Sequence, residues 1–182
     1  MGLKFEVSVS TFDEKLPHDA FKSAAAYAIE TARHKALEVA ARILDADVVI
    51  GSDTVVEYGG LILEKPKDVE DAVRVLTSLS GSSHHVHTGV VLVVRSGSEA
   101  GHLVRAFSCT TNVNFDVLDE KTVRAYVESR EPFGKAGSYG IQGIAGSFVT
   151  GISGCYFNVM GFPLHAFSSE MVRLIDEGHL KL

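Results

Sequence analysis

The feature that most constrains the fold is a set of long β-branched runs separated by turn signals. One run occupies residues 47–63 and contains Gly59-Gly60, a dipeptide typical of a two-residue hairpin turn. Two further runs, roughly 84–95 and 103–115, are split by the polar stretch Ser-Gly-Ser-Glu-Ala-Gly. Strands joined by short turns pair in antiparallel fashion. The sequence therefore predicts a sheet that is largely antiparallel.

A long helix is predicted from about Ala20 to Leu44, before the first of these runs. Glu38 and Arg42 are spaced as an i,i+4 ion pair on its exposed side, and Lys35 lies near the edge of its apolar stripe. The apolar residues recur three and four positions apart, which forms one stripe along a helix. They are Phe21, Ala25, Ala28, Ala32, Ala36, Val39 and Ile43.

Capping residues predict three more helices. Asp68 is a fitting N-cap for a helix that stops at Gly81, and Asp119 caps the next one. The last helix is expected between Pro163 and Gly178. A short period-two run at 3–9 predicts an opening strand, and 144–154 predicts one or two more. The fold class is therefore α/β, with a mixed and largely antiparallel sheet flanked by helices.

Composition argues against several classes of partner. The net charge is −6 and no long basic run is present, which disfavours a nucleic-acid groove or an anionic membrane surface. Cys109 and Cys155 are not in a CxxC motif and are expected to be free thiols. Neither a signal-peptide pattern nor an apolar run of membrane-spanning length occurs, so a cytoplasmic protein is expected.

Asp53 interrupts an apolar strand run, where aspartate is rare. It either caps a turn after Gly51 or faces a cleft, where it would bind Mg²⁺ or activate water. Glu14 lies in an acidic loop that is ordinarily solvated surface, but next to Asp53 it would complete a hard-cation site. Lys35 and Lys65 are either surface lysines or cations for a polyphosphate.

A glycine-rich segment, Glu-Pro-Phe-Gly-Lys-Ala-Gly-Ser-Tyr-Gly-Ile-Gln-Gly at 131–143, lacks the spacing of a phosphate-binding P-loop and of a dinucleotide fingerprint. It is either a tight chain reversal or a loop whose backbone approaches a ligand closely. Lys135 supplies a cation. Gln142 supplies an amide that matches the donor and acceptor pattern of a pyrimidine edge.

The histidines of Ser-His-His-Val-His invite a metal interpretation. In a strand, His85 and His87 share one face and His84 takes the other. Because zinc sites need three or more protein ligands, strand-surface histidines are favoured over a metal site. A Ser–His–Asp triad stays open, although no GxSxG elbow occurs.

Several motifs taken together resemble the Maf family of nucleoside triphosphate pyrophosphatases. They occur in order along nearly the whole chain: FDEK, KALEVA, VIGSDTVV, GGLILEKPKD, EPFGKAGSYGIQG and GCYFNVMGFPL. The resemblance implies an α/β sheet with a central cleft and commonly a homodimer. It also implies hydrolysis between the α and β phosphates with Mg²⁺ or Mn²⁺, which yields a monophosphate and pyrophosphate.

The resemblance also implies roles for individual residues. Asp53 matches the proton acceptor, and Glu14 matches an acidic residue near metal and phosphates. Lys35 and Lys65 match lysines that face the phosphates, with Lys135 beside them. Thr54 and Gln142 match positions typical of the dTTP/UTP-type subgroup rather than the 7-methyl-GTP subgroup.

The matched motifs begin after the family's first strand and its Ser-x-Ser-Pro-Arg-Arg loop. We therefore expect residues 1–182 to form a single Maf-like domain that lacks that strand and that phosphate-binding loop. Two alternatives to a pyrimidine triphosphate pyrophosphatase are carried forward. One is a catalytically weak or inactive truncated isoform that acts as a nucleotide-binding or dimerisation module, and the other is a purine-directed hydrolase.

Overall fold

The computed structural model describes residues 4–95 and 101–181, and these form a five-stranded sheet flanked by helices. The strands are β1 (Val48–Tyr58), β2 (Leu61–Leu63), β3 (Ser83–Arg95), β4 (His102–Phe115) and β5 (Val149–Ser153). Their order is β2-β1-β3-β4-β5, and each of these pairings is antiparallel. The predicted fold class is confirmed.

The predicted hairpin at Gly59-Gly60 is confirmed. Tyr58 pairs with Leu61, and both glycines have positive φ, +59° and +79°, which this tight turn requires. The strands predicted at 84–95 and 103–115 are β3 and β4, which pair from Ser83–Asn114 to Arg95–His102. Residues 96–100 of the polar turn predicted between them lie outside the described residues.

The helices are α1 (Ala24–Arg42), α2 (Val69–Leu79), α3 (Glu120–Glu128), α4 (Tyr156–Val159) and α5 (Leu164–Asp176). Asp68 and Asp119 cap α2 and α3 as predicted, each accepting a backbone N–H at 2.8 and 2.7 Å. The predicted Glu38–Arg42 ion pair closes at 2.8 Å. The short helix α4 was not predicted. Residues 144–148 form a 3-10 turn where the sequence predicted a strand.

The helix α1 covers one face of the sheet, and its backbone lies close to the strands. A Cβ at Gly51 would meet the Ala32 carbonyl oxygen at 2.4 Å, and one at Gly89 would meet the Ile29 amide nitrogen at 2.4 Å. The buried alanines of α1 and these two glycines therefore let helix and strand backbones touch. The opposite face carries α2, α3 and α5, whose buried side chains pack on alternate residues of β3 such as Val86 and Val90.

The strand predicted at 3–9 is wrong within its described part, since residues 4–9 carry no strand pairing. Phe5, Val7 and Val9 alternate as a strand would, but each is at least 80% exposed. The segment is held to α1 by a hydrogen bond from Arg42 to the Val9 carbonyl oxygen at 2.6 Å. Alternation without a neighbouring strand edge does not make a strand, because the backbone N–H and C=O groups need partners.

The prediction of strand-surface histidines holds for His85 and fails for His84 and His87. His84 is 1% exposed, with its ring edge against Phe115 and Nε2 2.8 Å from the Tyr139 hydroxyl. His87 is also buried, on the other face, beside His85. A pattern of alternation places side chains on faces, but it does not say which face is covered by helices.

The buried His84 makes stability depend on pH. Burial, and to a lesser degree the charge of His85, lower the pKa of His84 from 6.5 to about 4. The unfolded chain thus takes up this proton below pH 6.5 while the folded chain resists until about pH 4. The stabilising contribution is complete above pH 6.5 and is lost as the pH falls towards 4.

The free energy of unfolding should fall between pH 7 and pH 4.5 in both the parent and His84→Phe. We expect the fall to be smaller in His84→Phe, and the difference between the two falls to be about 2 kcal/mol. Urea denaturation at both pH values measures the difference. The exposed neighbour provides the control, because His85→Gln should leave the pH dependence unchanged. An equally steep loss in His84→Phe would show that another group carries the acid sensitivity.

Candidate active site

Asp53 lies in the middle of β1, and its side chain points towards α1. Its Oδ1 is 2.7 Å from Lys35 Nζ, and the two side chains are only 10% and 18% exposed. Lys35 reaches this position because Gly51 brings α1 close to the strand two residues before Asp53. The alternative in which Asp53 caps a turn does not describe this ion pair within a strand.

Glu14 extends the ion pair into a chain of four charges. Its Oε1 lies 2.9 Å from Lys35 Nζ, and its Oε2 lies 3.2 Å from Lys65 Nζ. The loop that carries it is fixed to α1 by the Tyr27 hydroxyl, which donates to the Glu14 carbonyl oxygen at 3.1 Å. We call Asp53, Lys35, Glu14 and Lys65 the carboxylate–lysine cluster.

The cluster shifts the proton affinities of its members in different directions. Burial raises the pKa of Asp53, and this outweighs the opposing effect of Lys35. Partial burial raises the pKa of Glu14, but hydrogen bonds and charges from Lys35 and Lys65 lower it below its usual value. Burial lowers the pKa of Lys35, but the opposing effect of Asp53 and Glu14 is larger, and the net pKa lies above its usual value. Lys35 therefore stays protonated, while Asp53 is a stronger base than an exposed aspartate.

The two carboxylates fit a divalent cation, because both converge on one cationic atom. Lys35 Nζ contacts Asp53 and Glu14 at once, which is the local charge pattern that a bound Mg²⁺ would also use. Among residues 4–95 and 101–181, no group of three or more His, Cys, Asp or Glu side chains is arranged to hold a metal. A cation here would take one or two carboxylates and complete its shell with water and substrate oxygens, as Mg²⁺ commonly does.

The other three predicted site residues lie outside this cluster. Thr54 points to the opposite face of β1, where its hydroxyl is 2.9 Å from that of Thr88. Lys135 donates to the carbonyl oxygen of Glu131. Gln142 is exposed on the glycine-rich loop. That loop is tied to the residue before Lys65, since the Gly137 amide donates to the Glu64 carbonyl oxygen at 3.3 Å.

Two groups beside the cluster were missed by the sequence reasoning. His18 Nε2 lies 2.9 Å from Glu64 Oε1, and its ring stands edge-on against Tyr27. Tyr27 in turn holds the loop of Glu14. The predicted apolar stripe of α1 did not include Tyr27, although Tyr27 is buried. Nothing local in the sequence links His18 to Glu64, 46 positions away.

The fold and the cluster together define an α/β protein whose antiparallel sheet holds a buried carboxylate beside lysines. The chain belongs to the Maf-like protein family, whose family model matches residues 1–174.

Three curated relatives are similar over most of this chain. A Homo sapiens "Probable bifunctional dTTP/UTP pyrophosphatase/methyltransferase protein" is 47% identical in an alignment of 180 residues that covers 95% of this chain and 29% of the human protein. A Clostridium perfringens dTTP/UTP pyrophosphatase is 44% identical over 162 residues, 89% of this chain and 82% of that protein. A Vibrio cholerae dTTP/UTP pyrophosphatase is 46% identical over 165 residues, with 91% and 84% covered.

The described residues also bear on the cysteines and on membrane-spanning helices. Cys109 and Cys155 are free and half-buried, as predicted. In the parts of the chain that the structure describes, none of the helices has the length and apolarity needed to cross a bilayer.

Proposed function

We propose that this chain hydrolyses nucleoside triphosphates between the α and β phosphates, with dTTP and UTP as preferred substrates. The observation that carries the proposal is the buried Asp53 carboxylate held 2.7 Å from Lys35, next to Glu14 and Lys65. Supporting it, relatives that are 44–47% identical over most of this chain are named for dTTP/UTP pyrophosphatase activity. The products would be the nucleoside monophosphate and pyrophosphate.

Asp53 is proposed as the general base. Burial raises its pKa, so the carboxylate accepts a proton from water more readily than an exposed aspartate does. Lys35 fixes one carboxylate oxygen by hydrogen bonding, which leaves the other oxygen to orient either the attacking water or a cation that carries that water. Attack of that water on the α phosphorus breaks the bond to the β-phosphate oxygen, and pyrophosphate leaves.

The lysines are proposed to neutralise the triphosphate. The Lys65 side chain is over half exposed, so it can turn from its 3.2 Å contact with Glu14 towards an incoming phosphate. Lys35 is protonated and sits beside the reacting centre. A divalent cation such as Mg²⁺ or Mn²⁺, held by Asp53 and Glu14, would stabilise negative charge on the phosphate oxygens. Charge neutralisation matters because pyrophosphate leaves with several negative charges.

The glycine-rich loop is proposed to make room for the pyrimidine ring of the nucleotide. Gln142 is exposed on this loop and offers an amide that can both donate to and accept from a pyrimidine edge. Lys135, on the same loop, adds a positive charge near the bound nucleotide. The Thr54 hydroxyl lies on the face of β1 opposite to Asp53, 2.9 Å from the Thr88 hydroxyl.

We further propose that the chain acts as a cytoplasmic homodimer. The free, half-buried thiols of Cys109 and Cys155 suit a reducing compartment. The exposed apolar side chains of Tyr156, Phe157 and Met160 lie together at α4 and would suit contact with a second copy.

Pyrophosphate release with Mg²⁺ or Mn²⁺ from dTTP, UTP, dCTP, ITP and 7-methyl-GTP tests the function. We expect dTTP and UTP to have the highest kcat/KM, by at least about tenfold, because Gln142 matches a pyrimidine edge. Nucleotide binding without any hydrolysis would contradict the proposed enzymatic function and favour a nucleotide-binding module. A preference for ITP would instead favour a purine-directed hydrolase.

A further inference from the structure

The two residues that flank Asp53 are held from the face of β1 that Asp53 does not use. The Ser52 hydroxyl donates to the Gly161 carbonyl oxygen at 3.2 Å, and the Thr54 hydroxyl approaches the same oxygen at 3.4 Å. Successive side chains of a strand point to opposite faces. One carbonyl oxygen on the far face therefore contacts both neighbours of the proposed base.

The hydroxyl of Thr54 is also part of a directed series of hydrogen bonds. Thr88 donates its hydroxyl proton to the Asn158 carbonyl oxygen at 3.1 Å, so its oxygen accepts from Thr54 at 2.9 Å. Each hydroxyl has a single proton, so in this direction Thr54 has none left for the Gly161 carbonyl oxygen, and the 3.4 Å approach is a contact and not a second hydrogen bond. Thr54 thus links β1 through β3 to the segment that follows β5.

That segment, residues 155–161, is itself firmly anchored. Asn158 is fully buried, and its Nδ2 donates to the Val86 carbonyl oxygen at 2.9 Å and to Thr111 Oγ1 at 3.1 Å. The Cys155 amide donates to the same Thr111 hydroxyl at 3.0 Å. We call residues 155–161 the backing segment, because it lies behind β1 as seen from Asp53.

We propose that the backing segment, acting through Ser52, Thr54 and Thr88, is a positioning device for Asp53. The inference rests on the proposed function, since it takes Asp53 as the base. None of these hydroxyls lies on the face of β1 that carries Asp53, so they are positioning residues and not catalytic ones. They fix the strand backbone on either side of Asp53 and so fix the direction of its carboxylate.

The same geometry gives Thr54 a role other than contact with the base of the nucleotide. A residue that reads the base changes the relative KM of different nucleotides when it is altered. A positioning residue changes kcat by a similar factor for all of them, because the attacking water is misplaced whichever base is bound. Nucleotide preference therefore separates the two roles of Thr54.

The test compares Ser52→Ala, Thr54→Val and the double variant with Thr54→Ser, which keeps the hydroxyl. Thr150→Val is the matched control, since this strand threonine also bonds a backbone carbonyl oxygen, that of Asn114 at 3.2 Å, but lies on β5. We expect kcat to fall about tenfold in Thr54→Val and about a hundredfold in the double variant. KM and the dTTP-to-UTP ratio should stay within about twofold, and Thr54→Ser and Thr150→Val should resemble the parent.

A second measurement does not depend on activity. Amide hydrogen exchange over residues 51–55 of the full chain should be faster in the double variant than in the parent, and unchanged in Thr150→Val. If the parent releases no pyrophosphate from any nucleotide, the proposed function fails, and exchange still decides whether the hydroxyls hold β1. Unchanged exchange, an unchanged kcat in the double variant, or a loss that differs between nucleotides would each overturn the positioning role.

Discussion

Replacing Asp53 by asparagine is expected to lower kcat for pyrophosphate release from dTTP by about a thousandfold, with KM changed far less. Asparagine has the same shape as aspartate, but its amide cannot take a proton from water. General-base catalysis commonly contributes a factor of about 10² to 10⁴. A thousandfold loss lies in the middle of this range, and the substitution also removes the negative charge that faces Lys35 at 2.7 Å.

The matched control for this substitution is Asp45→Asn. Asp45 is exposed in the connection between α1 and β1, so the two variants make the same chemical change near the same strand. Asp45→Asn should keep the parent kcat, and circular dichroism should show both variants folded at the assay temperature. If Asp53→Asn retained a tenth or more of the parent activity, Asp53 would not be the base.

Local rules explain which elements were predicted from the sequence. Asp68 and Asp119 cap their helices through hydrogen bonds that span three residues, and the Gly59-Gly60 turn depends only on its own φ angles. Such interactions are encoded within a few positions of the chain. They were therefore predictable from residue spacing alone.

The site was only partly predictable because its contacts are long-range. The strand pattern marked Asp53 as an unusual residue. Residue types suggested that Glu14 and the lysines could join it, and the family resemblance implied the same grouping. The structure then brought four of the seven predicted site residues into one cluster. The contact of Ser52 with Gly161 spans 109 positions, and no spacing pattern indicates it.

The wrong predictions share one physical origin. The alternation at Phe5, Val7 and Val9 is typical of a strand, but a strand also needs a partner edge, which the pattern does not supply. His84 has the polarity of a surface residue, but α2 and α3 cover its face of the sheet. In both cases the side chains alternate between two faces as the sequence pattern predicts. Tertiary packing then decides whether the segment pairs as a strand and which face is buried.

Replacing Gly89 by alanine is expected to lower the free energy of unfolding by about 3 kcal/mol or more, which is a large part of the total for a domain of this size. The added Cβ would lie 2.4 Å from the Ile29 amide nitrogen and 2.5 Å from the Ala28 carbonyl carbon. Both are backbone atoms of α1, so no side chain can turn away. The helix itself must move, and the packing of its alanines on β1 and β3 is lost with it.

Gly151→Ala is the control, because a Cβ at this strand glycine would meet only the Asn114 side-chain nitrogen, at 3.8 Å. We expect it to change stability by less than about 1 kcal/mol in urea denaturation. A similar result for Gly89→Ala would mean that α1 can shift away from the sheet at little cost. The same displacement would separate Lys35 from Asp53, so in Gly89→Ala the residual folded protein should also lose activity, whereas Gly151→Ala should keep it. Stability and catalysis are thus linked where α1 packs against Gly51 of β1 and Gly89 of β3.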